Sequence, residues 1–200
     1  MAKRKYKNTT GRKHISKADT VLHRGELVPI NANGSGCYTY MLKKIFEQFD
    51  IGLDKWKRQV FIRIDLHQAE LTENNARITK FRKRLATKLT AHYGPHEMGY
   101  CWVRELEKAK AQHYHMKLWF DGDLLKTSHY VRKYAKQVWE EMGGTFPSLP
   151  KTYIYINSPE TRLEALYWLS YLAKWRGKGY KTPQTKDYGT SRLKISVLTF

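Results

Sequence analysis

Residues 113–122 read "HYHMKLWFDG", two histidines one residue apart at the start of an apolar run. In an extended chain residues two apart point the same way, so His113 and His115 project from one face with Lys117 and Trp119. Tyr114, Met116, Leu118 and Phe120 take the other face and serve a core. Two imidazoles about 7 Å apart along the backbone can converge on one cation, provided an oxygen ligand joins them from a neighbouring strand. The preceding run "YCWVRELE" supplies Glu105, eight residues before His113 across a short connection, with Glu107 on the same face as a fallback. Two imidazoles, one carboxylate and open positions suit Mg²⁺ or Mn²⁺ bound to a phosphate oxygen, and the ligand types are compatible with Zn²⁺ too. The pair alone is a weak signal, because eight histidines in 200 residues often produce this spacing by chance.

A second group stands at residues 167–175, "YWLSYLAKW". At about 100° per residue on a helix, Tyr167, Tyr171 and Lys174 fall within an arc of roughly 60°, with Ala165, Leu169 and Leu172 on the far side. Two phenols and an ammonium thus share one stripe. By itself the same spacing is also that of an aromatic helix buried in a core.

Composition points to a polyanion. Lys and Arg outnumber Asp and Glu by 37 to 18, a formal charge of +19, and 14 Tyr, 7 Phe and 6 Trp are spread among them. Cations pair with phosphates and flat rings stack on bases, so a single-stranded nucleic acid is the expected partner and a membrane is not. No stretch approaches the roughly 20 apolar residues of a bilayer span, and the first residues lack the apolar core of a secretion signal. The reading is a cytoplasmic protein. Cys37 and Cys101, in no metal-type spacing, are packing residues.

The elements that must position these groups follow from periodicity. A basic, flexible arm is expected over residues 1–36, the first 18 of which carry seven Lys or Arg and no acid. The main domain spans 37–176. It opens with an amphipathic helix at 37–50, followed by the alternating strand "RQVFIRIDLH" and a helix at 73–92 with Arg77, Lys80 and Arg84 on its cationic side. Two strands joined by "KAKAQ" form a hairpin, a helix runs from about 126 to 142, and "KTYIYI" is a short strand. A last helix is capped by Ser158-Pro159 and continues to about Trp175. A basic tail fills 177–200, with room for one terminal strand. This order implies one α+β domain around a mainly antiparallel sheet of about five strands.

The His-hydrophobic-His strand, followed about fifty residues later by Tyr-x-x-x-Tyr-x-x-Lys on a helix, resembles the HUH endonucleases, the rolling-circle replication initiators of small single-stranded DNA replicons. Residues 38–195, with "WVRELEKAKAQHYHMKLWFDG", "YWLSYLAKW" and "YGTSR", are similar to the replication initiators of filamentous phages and to YagK/YfjJ-type prophage proteins. The resemblance implies an HUH/RRM-like fold and site- and strand-specific nicking and rejoining of DNA through a 5′-phosphotyrosine. Tyr171 or Tyr167 would attack, each visiting the metal in turn, with Lys174 assisting; His113, His115 and Glu105 would hold Mg²⁺ or Mn²⁺. The substrate would be single-stranded or hairpin origin DNA, and a host helicase and polymerase are the implied partners. Arg63, Lys117, Trp119, Lys80, Arg84, Lys178 and Arg192 are the expected nucleic-acid contacts, and binding should weaken steeply with salt. The first-motif strand departs from the family pattern by carrying Arg63, Asp65 and His67 where small polar groups are usual. Two other readings stay open: a non-catalytic basic DNA-binding regulator, and a transposase or relaxase using the same site.

Overall fold

The structure, a computed structural model, describes residues 14–106 and 111–195. In chain order its elements are β1 (Ile15–Ser16), β2 (Thr20–His23), β3 (Glu26–Pro29), β4 (Cys37–Tyr38), α1 (Thr39–Lys55), β5 (Gln59–His67), α2 (Ala76–Tyr93), β6 (Gly99–Glu105) and β7 (His113–Asp121), continuing with α3 (His129–Glu141), β8 (Tyr153–Ile156), α4 (Pro159–Ser170), a 3₁₀ turn at Tyr171–Ala173, and β9 (Tyr188–Thr190). Five strands form the main sheet in the order β8-β5-β7-β6-β9, with every neighbouring pair antiparallel. The α+β fold is therefore as the periodicity predicts. The two strands with the clearest alternation, β5 and β7, lie side by side at its centre.

That alternation divides the core in two. Val60, Ile62, Ile64 and Leu66 of β5 join Tyr114, Met116, Leu118 and Phe120 of β7 against α2 and α3, where Phe81, Leu85, Val138 and Trp139 are fully buried. The opposite face meets α1 and α4 through Phe61, Val103 and Trp119, packed on Phe46, Phe49, Leu166 and Leu169. Each helix contributes the stripe that its sequence spacing requires.

The second face is graded, and the gradient creates the site. Opposed residues in antiparallel strands share a face, and the register stacks Phe61, Trp119 and Gly99 in one row, Arg63, Lys117 and Cys101 in the next, then Asp65, His115 and Val103, and finally His67, His113 and Glu105. The face thus passes from apolar to ionisable along the strands. Helix α1 seals the apolar end: Trp119 is 0% exposed, edge-on to Phe49 at 5.8 Å, in a notch left by Gly52 and Gly99. This corrects the expectation that Trp119 stacks on DNA bases. Its position on the histidine face is right, but α1 covers that part of the face. A Cβ added at Gly99 would fall 1.9 Å from Trp119 Nε1, so Gly99→Ala is expected to lower stability by about 1–3 kcal/mol, read as an earlier chemical denaturation midpoint.

Two boundaries differ from the sequence reading. Residues 1–13 of the expected arm lie outside the described residues, but residues 14–36 fold onto the domain, with β2 and β3 a hairpin and Val28, Ile30 and Ala32 buried. Buried Asp50 of α1 anchors this hairpin by gathering His23 and Arg24, together with Arg162 of α4. The arm reading missed this because the basic count hides a few well-placed apolar residues. The last helix begins at the predicted Ser158 cap, with Pro159 in its first turn, but its α-helical part stops at Ser170. Lys174 is extended instead, paired with Cys37, and Trp175 N donates to Gly36 O at 3.1 Å. Pairing with a segment some 140 residues earlier in the chain overrides helical propensity there.

Candidate metal centre

At the ionisable end of the graded face, the register sets Glu105 directly opposite His113, with His115 two residues further along β7. Glu105 Oε2 lies 3.8 Å from His113 Nε2 and 3.6 Å from His115 Nε2. One donor atom from each of the three residues falls within 4.8 Å of the others, forming a candidate metal-binding triad. Donors around a cation held at about 2.1 Å are roughly 3 to 3.5 Å apart. The observed spacing, up to 4.8 Å, is wider than the spacing around a bound cation. The fallback Glu107 lies outside the described residues.

The imidazoles are turned for ligation by their other nitrogens. His113 Nδ1 lies 3.1 Å from the Ala111 carbonyl, and His115 Nδ1 lies 2.9 Å from Asp65 Oδ1, off the line of a straight hydrogen bond. A carbonyl or carboxylate oxygen facing Nδ1 favours the tautomer with its proton there, which leaves Nε2 available to coordinate. Burial lowers the His113 pKa and favours the neutral ligand form. Burial alone would raise both carboxyls, but Asp65 is held well below its usual range by His115 and Arg63, and Glu105 is held low by Lys178 and then His115. Asp65→Asn, which removes the anion behind His115, is expected to weaken metal binding about 10- to 100-fold, measurable by calorimetric titration with Mn²⁺.

Tyr171 completes this group. Its ring sits edge-on to His115, centroids 5.3 Å apart, and it lines a cavity of about 460 Å³ with His67, Glu105, Gln112, His113, His115 and Arg176. Burial, then the Glu105 carboxylate, raises the phenol's pKa, opposed by a hydrogen bond from Arg176. The strand ends around this cavity are pinned from behind. Trp139 Nε1 donates to His67 O at 2.7 Å, and Gln112 bridges the guanidinium of Arg104 and the hydroxyl of Tyr114 at 2.9 Å each.

The other expected site residues do not line this cavity. Tyr167 is 37% exposed and does not line the cavity. Lys174 is nearly buried, its Nζ 5.5 Å from the centre of the Tyr171 ring, and burial lowers its pKa. Lys117 lies under α4, with its ammonium 5.4 Å from the Trp168 ring centre and its pKa pushed down by burial and Arg63 to about 7. Buried there, it does not present an open surface charge to DNA. Lys178, assigned to the same role, is fully buried against Glu105. Arg63 is taken up by Asp65 at 2.7 Å. Lys80 and Arg84 line a shallow surface hollow beside α2, with Arg84 paired to Glu141, while Arg192, Lys181 and Lys186 line a separate groove along β9 that carries no acid.

Arg176 and the supporting role of Asp65 were missed by sequence reasoning. Alternation does place Asp65 on the correct face, but only the pairing of β5 with β7 puts it opposite His115.

A five-stranded antiparallel sheet with a His-x-His strand at its centre, a carboxylate from the adjoining strand and a tyrosine over the pair defines an α+β domain with a candidate metal centre. By sequence, residues 24–145, more than half of the chain, match the YagK/YfjJ C-terminal domain model, and the chain belongs to that family. The matched region contains Asp65 and the whole triad and ends before Tyr171. No curated protein and no solved structure gives a significant match. No helix among the described residues is long and apolar enough to cross a membrane.

Proposed function

We propose that this protein is a metal-dependent single-strand DNA endonuclease and strand transferase of the HUH type, initiating rolling-circle replication in the cytoplasm. The observation that carries the reading is the convergence of Glu105, His113, His115 and Tyr171 on one cavity open to solvent. A bound Mg²⁺ or Mn²⁺ would supply Lewis acidity to the nonbridging oxygen of a phosphate and to the departing 3′ oxygen.

The chain's own groups account for the remaining requirements. Tyr171 Oη attacks phosphorus, the bond from phosphorus to the 3′ oxygen breaks, and the phenol's proton is lost while the 3′ oxygen gains one. The products are a 5′-phosphotyrosine and a free 3′ hydroxyl. The link conserves the energy of the broken bond, so the same groups run the step backwards and rejoin strands without a nucleotide cofactor. Arg176, on the cavity wall beside the phenol, favours the phenolate. Tyr167 is placed for a later step only if the strand or the turn moves, which makes Tyr171 the first nucleophile. The acid-free groove of Lys181, Lys186 and Arg192 suits the flanking backbone of single-stranded or hairpin origin DNA, with a host helicase and polymerase acting afterwards.

The test uses labelled single-stranded and hairpin oligonucleotides tiled across the DNA that carries the gene, incubated with the full chain and Mn²⁺. A covalent protein-DNA adduct that survives denaturation and disappears with chelator is expected. Metal-independent binding of the same oligonucleotides with no adduct would instead favour a DNA-binding regulator.

A further inference from the structure

We propose that Lys178 is a positioning residue, holding the Glu105 carboxylate for its metal and tying it to the turn that carries Tyr171. Lys178 is 0% exposed, and its Nζ donates to Glu105 Oε1 at 2.7 Å and to the Lys174 carbonyl at 2.7 Å. A buried ammonium is tolerated only when neighbouring acceptors replace its hydration. The two oxygens of Glu105 therefore have separate tasks: Oε1 takes the lysine, and Oε2 faces the two imidazoles. The second acceptor belongs to the residue that closes the 3₁₀ turn, where Lys174 N donates to Tyr171 O at 3.1 Å. One ammonium thus joins the carboxylate of the triad to the segment presenting the phenol.

The backbone is shaped to allow this. Gly177 has φ of +72° and accepts from Leu106 N at 2.8 Å; a Cβ there would meet Glu105 Cβ at 3.2 Å and Oε2 at 3.3 Å. Both the left-handed conformation and the close approach require glycine. On the far side Gly179 N donates to the buried carboxylate of Asp187 at 3.2 Å. Residues 176–179, Arg-Gly-Lys-Gly, so form a loop whose Arg176 reaches the Tyr171 phenol while Lys178 reaches Glu105. A tail lysine read from sequence as a DNA contact becomes part of the metal site.

This inference rests on the metal-centre reading but not on nicking, and its test uses Mn²⁺ alone. Calorimetric titration of the full chain without DNA is expected to give about 10- to 100-fold weaker Mn²⁺ binding for Lys178→Met than for wild type. Lys194→Met, which removes the same charge from an exposed position of the same tail, is expected to leave the affinity unchanged. Should Lys178→Met fail to fold, Gly177→Ala keeps the lysine but strains the left-handed turn that presents it and crowds Glu105, and is expected to weaken Mn²⁺ binding; wild-type affinity in a folded Gly177→Ala overturns the proposal. A folded Lys178→Met with wild-type Mn²⁺ affinity overturns the proposal, as does a matching loss in Lys194→Met. Wild type that binds no Mn²⁺ overturns both this inference and the metal centre. Weakened binding in Lys178→Met alongside wild type that forms no DNA adduct overturns the nicking reading and leaves the role of Lys178 standing.

Discussion

Tyr171→Phe is expected to eliminate the covalent protein-DNA adduct and to slow cleavage of a single-stranded oligonucleotide by more than a factor of about 1,000, the scale on which loss of a nucleophile acts. The substitution removes one oxygen and keeps the ring that packs edge-on against His115, so the melting temperature and Mn²⁺ affinity should stay close to wild type. Tyr167→Phe, outside the cavity, is expected to change the first cleavage by less than about tenfold. Denaturing gels of the labelled reaction read both. An adduct of wild-type yield in Tyr171→Phe would move the nucleophile elsewhere. The pH profile has a definite sign. Burial and Glu105 raise the phenol's pKa, and the reactive form is the phenolate, so single-turnover cleavage at fixed metal should climb with pH through the neutral range. A rate that is flat or falling from pH 6 to 8 would contradict attack by this phenol.

Replacing both His113 and His115 with alanine is expected to remove measurable Mn²⁺ binding and, with it, adduct formation. Two of three donors disappear, and Glu105, already engaged by Lys178 through one oxygen, cannot hold a hydrated cation alone against water. The fold should survive, because both rings lie at the ionisable end of the face, where neither belongs to the two apolar cores. DNA affinity measured without metal should be nearly unchanged, since the cations of the β9 groove and of α2 are untouched. Calorimetry with Mn²⁺ and fluorescence anisotropy with a labelled strand separate these outcomes. Full retention of Mn²⁺ affinity would exclude this triad as the metal site.

Much of the site was legible because strand periodicity is a local property. The two-residue repeat of "HYHMKLWF" alone aims His113 and His115 to one side, and the alternation of "WVRE" puts Glu105 on a face it can share with them. Trp119 and Lys117 were aimed correctly by the same rule but assigned wrongly, because alternation says which face a side chain takes and not what covers that face. Helix α1 buries the tryptophan, and α4 lies over the lysine. The stripe of Tyr167, Tyr171 and Lys174 loses its helical backbone only after Tyr171, for a related reason. It assumed an unbroken helix to about Trp175, whereas backbone pairing with Gly36 and Cys37 pulls the chain into a 3₁₀ turn and then an extended segment.

The sequence by itself determined the α+β class, the two central strands, the paired imidazoles with their carboxylate, and the basic, aromatic character that suits nucleic acid, all of which follow from short-range periodicity and composition. Only the tertiary structure decided that Asp65 stands behind His115, that Tyr171 and not Tyr167 reaches the cavity, and that Lys178 is spent on Glu105. Those relations join residues 50 or more positions apart along the chain. The energy that sets them, burial of a charge against its partner and pairing of backbone between distant segments, depends on neighbours that the local sequence does not contain.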